Sequence, residues 1–273
     1  KKNWNWSVGF NLSHNKNMLR KTYNGEDLND KVLGRPVYGI YTFKDEGIVQ
    51  KTEDIPMYPN ASGKQIPLYF QSINNPLRVG GRKIKDQNYD GVIDDKDLYY
   101  AGSTLPAVYG GLNSHLEWKG LSFDVLFSYT ISRKVMNMYK NSAFTFTKDF
   151  GVIMNYFHAN DFWTTSNRDA KYPSLEFADK DYVGQFDGNV DSNIENISFL
   201  RLKQLVIGYQ LPKNWLKGSF IKDANIYLSG ENLFLITNYS GVDPEVINPY
   251  SGKDDGTQYP LNRKVTLGLN LKF

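Results

Sequence analysis

Apolar and polar residues alternate with period two at both ends of the chain. Trp4, Trp6, Val8, Phe10 and Leu12 interleave with Asn5, Ser7, Gly9, Asn11 and Ser13, and Val265, Leu267, Leu269, Leu271 and Phe273 with Lys264, Thr266, Gly268, Asn270 and Lys272. Successive side chains of a strand point to opposite sides, so each run predicts a strand with one apolar and one polar face. The stretch 107–119 behaves likewise: Val108, Leu112, Leu116 and Trp118 share a parity with Gly110 and Ser114, and Asn113, His115, Glu117 and Lys119 take the other. After Gly120 the apolar positions resume at Leu121, Phe123, Val125, Phe127, Tyr129 and Ile131, which makes Lys119-Gly120 a tight hairpin. Within 198–211 the phase slips: Leu200 and Leu202 lie on one parity, Leu205, Ile207, Tyr209 and Leu211 on the other. A β-bulge near Lys203-Gln204 reconciles them. The stretch 224–238 is less clean, because Leu233 and Leu235 fall on the polar parity.

The predicted strands are therefore 4–15, 107–119, 121–138, 198–211, 224–238 and 264–273. With antiparallel neighbours, the short connections at Gly120 and Pro212–Asp223 fall at one end. The long ones, 16–106, 139–197 and 239–261, fall at the other. That asymmetry is the mark of bacterial outer-membrane barrels, with short periplasmic turns and long extracellular loops. Gly34–Gln50 and Leu77–Lys85 also look extended and are assigned to β structure inside the outer region 16–106. Six strands are too few to close a barrel, which takes at least about eight. The expected fold is all-β, a portion of a transmembrane antiparallel β-barrel with long extracellular loops. A strand that starts at residue 4 with no leader predicts that the natural chain begins earlier. Thr266, Gly268, Leu271 and Phe273 have the polar, glycine, hydrophobic, aromatic form of the signal that the barrel-assembly machinery reads. Trp4, Trp6, Trp118 and Tyr129 are candidates for interfacial aromatic girdles.

Composition narrows the field. Lys+Arg 32 against Asp+Glu 29 leaves a net charge of +3 over 273 residues, too near balance for a nucleic-acid binder. Cysteine is absent, so thiolate metal sites and cysteine nucleophiles are excluded. The longest apolar runs, such as Leu233–Ile236, are far short of the roughly 20 residues of a transmembrane helix. The mean hydropathy of −0.51 suits a barrel, whose strands are apolar only at alternate positions. His14, His115 and His158 are widely separated. No nucleophile elbow, phosphate loop or dinucleotide fingerprint occurs, so no enzyme activity is expected. Asp254-Asp255 reads as a solvated turn. His115, Glu117, Lys119, Asp124 and Ser128 fall on the polar parity and would line the lumen.

One segment has metal-ligand spacing. Asp86-Gln-Asn88-Tyr-Asp90-Gly91-Val92-Ile93-Asp94-Asp95-Lys-Asp97 follows the twelve-residue EF-hand loop, which gives Ca²⁺ about six to eight oxygens. Asp86, Asn88, Asp90, Asp94 and Asp97 would supply side chains and Val92 its carbonyl; Gly91 permits the turn and Ile93 packs inward. Asp97 stands where a bidentate Glu is usual. A structural Ca²⁺ that stiffens the outer region is the expectation, with affinity of roughly 10⁻⁴–10⁻³ M. A second concentration of chemistry is aromatic: Phe144, Phe146, Phe150, Tyr156, Phe157, Phe162 and Trp163 crowd 139–197. Such rings stack on sugars, anchor partners or form a loop's own core. Phe157, Phe162 and Trp163 are the candidate contacts with substrate or partner.

Several motifs in order resemble the SusC/RagA family of TonB-dependent outer-membrane transporters. They are Gly34-Arg-Pro-Val-Tyr-Gly-Ile-Tyr41, the loop 86–97, Gly102-Ser-Thr-Leu-Pro106, Gly110-Gly-Leu-Asn113, Phe162-Trp163 with Tyr172-Pro173, Leu200-Arg-Leu-Lys203, Leu211-Pro212, Ser229-Gly-Glu-Asn232 and Tyr239-Ser-Gly-Val-Asp-Pro244. Thr165 and Arg168 depart from the family's prolines. The resemblance covers nearly the whole chain. It implies that 1–273 is the C-terminal part of a barrel of about 22 strands, with plug domain and TonB box outside this chain. It also implies import of oligosaccharides, or of peptides, across the outer membrane of a Gram-negative bacterium. The partners would be a SusD-like surface lipoprotein as lid, TonB through the missing N-terminal part, the assembly machinery and outer-membrane lipids. The alternative from the residues alone is a secreted calcium-dependent glycan-binding or adhesion β-sandwich. What separates the two is whether the apolar face of Leu121–Ile131 meets lipid or a second sheet.

Overall fold

The computed structural model describes residues 4–27, 31–138, 158–178, 184–186 and 188–273. Six long strands dominate it: β1 (Trp4–Ser13), β2 (Val108–Trp118), β3 (Leu121–Asn137), β4 (Ile194–Gln210), β5 (Asp223–Glu231) and β6 (Lys264–Lys272). They pair in chain order, each antiparallel to the next. The order is an up-and-down meander, so long and short connections do fall at opposite ends.

Register turns the alternation into two faces. Trp6 pairs with Leu116, Leu116 with Phe123, Phe123 with Ile207, Ile207 with Leu228 and Leu228 with Leu267. Every member of that row is apolar. One pleat away, Ser7, His115, Asp124 and Val206 align, then Ser229 and Thr266. This face is polar apart from isolated residues. The apolar face is open: Phe10 is 64%, Leu267 75% and Leu269 58% exposed. A sandwich would bury these residues under a second sheet. The three buried apolar clusters instead lie elsewhere, and no residue of this face belongs to them.

The turn at Lys119-Gly120 closes as expected. Both residues have positive φ, 50° and 88°, the geometry of a type I′ turn that matches strand twist. The phase slip in β4 is also a bulge. Leu126 pairs with Gln204 and Phe127 with Leu202, which leaves Lys203 unpaired on that side. A second irregularity between Thr130 and Arg133 centres on Ser132, whose φ is 54°.

Three elements differ from the pattern by more than a residue at a boundary. The stretch 224–238 is two pieces, β5 and the short strand Leu235–Thr237, both paired to β4. Asn232 breaks them with a φ of 52°, and the chain turns there, which carries Leu233 and Leu235 off the expected parity. β4 begins at Ile194, not 198, because its first residues pair with Arg133–Met136 beyond the second bulge. β1 ends at Ser13 rather than 15.

The outer region is built differently. Gly39–Thr42 pairs with Tyr99–Ser103, Asp45–Ile48 with Arg82–Ile84, Met57–Pro59 with Gln65–Pro67, and Tyr69–Phe70 with Val92–Ile93. The stretches 34–50 and 77–85 thus hold β structure outside the long sheet. Val49, Leu68, Phe70, Leu77, Ile84, Ile93 and Val190 make a buried core there. Val190 belongs to the β3–β4 connection, so the two long connections form one unit. Phe43 N–H donates to Asn189 O, and Asp191 N–H to Phe43 O.

Candidate functional site

Apart from the terminal residues of β6 and the polar-face residues of 115–128, the functional candidates gather at the end of the sheet with the long connections. Asp45 is the hinge of one polar cluster. The Arg82 guanidinium, 11% exposed, pairs with the Asp45 carboxylate. Arg82 also donates to Phe186 O at 3.1 and 3.2 Å, and Ser192 Oγ donates to Asp45 at 2.6 Å. Beside it Asp191 accepts from Lys44 Nζ at 2.6 Å, Asp45 N–H at 2.9 Å and Tyr99 OH at 2.7 Å. Burial alone would raise the Asp191 carboxyl, but these donors outweigh it and hold its pKa below the usual carboxylate value. A cleft of 270 Å³ opens between Arg82, Gln50, Tyr172 and Asn193.

The acidic loop folds as a self-contained turn. Asp86 and Asp97 are buried at 5% and 0% exposure. Asp86 accepts from Tyr89 N–H at 2.6 Å and Gly91 N–H at 2.9 Å. Asp97 accepts from Gln87 N–H at 2.7 Å and Asp94 N–H at 2.9 Å. Asp94 caps the 3-10 turn Asp95–Asp97. Asn88 donates to Asp90 at 2.9 Å, and Lys96 lies 3.5 Å from Asp94 and 3.9 Å from Asp90. Ile93 packs inward, as its place in the pattern requires, and Val92 pairs with Tyr69. Burial first, and then the charge of Asp86, push the Asp97 carboxyl up. Burial and a hydrogen bond to Asp86 push the Tyr58 hydroxyl up to about 12. Among the described residues no group of three or more His, Cys, Asp or Glu is placed to hold a metal. The loop thus brings Asp86 and Asp97 together but does not gather the full set of six EF-hand positions.

The aromatic candidates go inward. Phe162 is 3% and Trp163 7% exposed. Phe162 packs with Phe177 and Phe186, and Trp163 Nε1 donates to Gln50 Oε1 at 3.0 Å. Gly80, at φ +84°, lies under the Trp163 ring, where a Cβ would sit 2.6 Å from it. The rings therefore form the loop's own core and offer no open face to a ligand. Phe157, like Phe144, Phe146, Phe150 and Tyr156, lies outside the described residues.

Sequence reasoning missed what fastens the last long connection to the sheet. Arg201 on β4, 3% exposed, pairs with Asp243 at 2.5 Å and meets Glu245 at 2.6 Å. Lys203, the bulged residue, also pairs with Glu245. Arg133 is buried and donates to the carbonyls of Thr104, Pro244 and Ile247. Tyr239, with Val135, Ile197 and Ile247, forms a small core. The signal for this was the Leu-Arg-Leu-Lys alternation of 200–203, which puts two cations on the polar face.

The terminal candidates occupy the short-turn end. Gly268 pairs with Tyr227 on the polar face, and that ring fills the space a Cβ would take. Leu271 pairs with Ala224 and stays 41% exposed. Phe273 stacks on Phe220 at 5.5 Å.

No family model matches the chain. It is 29% identical over 284 residues to the TonB-dependent receptor P26 of Formosa agariphila, covering 99% of this chain and 27% of that protein. It is 27% identical over 288 residues to the TonB-dependent receptor SusC of Bacteroides thetaiotaomicron, covering 100% of this chain and 25% of that one. The structure of the RagAB peptide transporter superposes with a TM-score of 0.68 at 23% identity, over 100% of this chain and 28% of that one. These relatives carry the names of receptors and transporters, not of enzymes, in keeping with the lack of enzyme motifs. The chain spans about a quarter of the length of the relatives it matches. The order of motifs, the meander and these relatives together make the chain similar, along its whole length, to one segment of TonB-dependent receptors such as P26 and SusC, with a fold shared with the RagAB transporter.

Proposed function

We propose that this segment serves TonB-dependent import of a nutrient, an oligosaccharide or a peptide, across the outer membrane of a Gram-negative bacterium. A SusD-like lipoprotein would close over its long connections. The observation that carries the reading is the open sheet with one predominantly apolar, exposed face and one polar face. Such a sheet needs hydrocarbon on one side and water on the other. The relatives add to it: RagAB is a peptide transporter, and SusC a TonB-dependent receptor. The polar face would line the path, with His115, Asp124 and Ser128 toward the solute. The buried ties of Arg82, Arg133 and Arg201 would keep the outer loops folded while a lid opens and closes on them. The test is deletion of the whole gene, followed by growth on purified oligosaccharides and on peptides as sole carbon source. A growth defect on one class, restored by the gene and not by a copy lacking its TonB box, supports the reading. Unchanged growth on both, or a protein absent from the outer-membrane fraction, overturns it.

For the loop 86–97 a structural Ca²⁺ remains our proposal. Its support is the residue pattern and two buried carboxylates, Asp86 and Asp97, neither of which forms an ion pair among the described residues. The turn's N–H groups meet part of the cost of burying two negative charges, and a hard cation would offset the rest.

A further inference from the structure

The connection 211–222 between β4 and β5 has a composition that solute import does not use. It holds Lys213, Trp215, Lys217, Phe220 and Lys222 and no acidic residue. Lys213–Trp215 form a 3-10 turn after Pro212. Trp215 is 70% and Phe220 78% exposed. Phe220 stacks on Phe273, with the rings 15° apart. Phe273 continues the parity of Leu271, so this aromatic pair extends the apolar face past the end of β6. Lys222 N–H donates to Lys272 O at 2.7 Å, which sets a fourth lysine beside the turn. All four lysines are exposed, and among the described residues none of them forms an ion pair.

Two physical demands meet here. Exposed indole and phenyl rings at the rim of a lipid-facing surface favour the boundary between headgroup and acyl chain. The four exposed lysines outnumber the one acidic residue beside them, Asp223, which follows Lys222 and pairs with Lys272 in the ladder; the excess favours phosphate, and each lysine gains from an anionic bilayer surface. A polyanion in solution would satisfy the lysines but not the rings, and an apolar partner would satisfy the rings but not the lysines. An anionic phospholipid satisfies both.

We propose that the 211–222 turn is a phospholipid-binding rim: Trp215, Phe220 and Phe273 enter the headgroup boundary, and Lys213, Lys217, Lys222 and Lys272 hold the phosphates of anionic phospholipids. The inference rests on the membrane reading above.

The test uses the full-length receptor in nanodiscs of phosphatidylcholine, with and without phosphatidylglycerol, and reads retained lipid by mass spectrometry together with the melting temperature. One variant carries Lys213→Ser, Lys217→Ser, Lys222→Ser and Lys272→Ser; a second carries arginine at the same four positions. Preference for phosphatidylglycerol should amount to roughly fivefold per lysine at low salt. The serine variant should lose it and the arginine variant keep it, with equal melting of all three in phosphatidylcholine alone. Equal retention by the serine variant, or no preference in the natural protein, overturns the rim. A receptor that enters nanodiscs without lipid preference defeats only this inference. One that stays soluble without detergent defeats the membrane reading as well.

Discussion

The long sheet and the outer region solve the same problem in opposite ways. The outer region has a buried apolar core: Val49 and Leu68 are fully buried, and Phe70 and Ile93 nearly so. It is a small water-soluble core wrapped in short strands. The sheet leaves Trp6, Phe10, Leu228 and Leu267 exposed and is held chiefly by its backbone ladder. On the membrane reading proposed above, that difference marks where the solvent changes. Hydrogen bonds between strands satisfy the backbone in either medium, whereas an open apolar face is stable only in hydrocarbon. Arg201 stands at the junction, on a sheet strand but buried by Asp243 from the outer loop.

The strongest way to break the comparison is at that junction. Arg201→Ala leaves Asp243 buried without its cation, and removal of one partner of a buried pair costs about 3–5 kcal/mol. The loop 239–261 of the full-length protein should then become open to protease while the long sheet remains intact. Uniform cleavage resistance would show that the junction does not hold the loop.

A charge placed on each face probes the sheet itself. Leu228→Arg on the apolar face should cost about 2–4 kcal/mol if it sits near the bilayer midplane. Gln204→Arg on the polar face should change stability little. Urea titrations of the full-length protein folded into lipid measure both, and equal costs would contradict the assignment of faces.

Acid probes the outer region on its own. The Asp191 carboxyl is held below its ordinary 3.8 by Lys44, Asp45 N–H and Tyr99. With a depressed folded pKa, its contribution is complete above the unfolded value and lost as pH falls through the folded one. Asp191→Asn should therefore destabilise the outer region at neutral pH and flatten its loss of stability below about pH 4. Asp97 works in the other sense: burial raises its pKa, so protonation on acidification relieves the cost of its buried charge. Parallel acid limbs for natural protein and variant would argue against the Asp191 ties.

The smallest effect expected is that of calcium. Millimolar Ca²⁺ against chelator should raise the melting temperature of the outer region and leave the sheet unchanged. No shift would remove the ion from the account of loop 86–97.

Much of the sheet was legible because its signal is local. Period-two alternation fixes strand and face together, and the Lys203 slip could be seen as two parities meeting within 198–211. The left-handed turn at Asn232 was not seen, since a single residue with positive φ leaves no mark on periodicity. The aromatic loop was less legible still. Phe162 and Trp163 look like surface anchors in a polar stretch, but Gln50 and Gly80, distant in sequence, close over Trp163. For the acidic loop, spacing showed which residues line the turn and which one packs inward. It did not show that the carboxylates of Asp86 and Asp97 would be occupied by the turn's own N–H groups.

The sequence by itself determined the strands, their faces, the alternation of short and long connections and the family resemblance, because each is written in neighbouring residues. Only the tertiary structure decided which cations are buried, which aromatics turn inward and that the two longest connections share one core. Those outcomes depend on contacts between segments far apart in the chain, and burial is settled by what a side chain meets rather than by what it is.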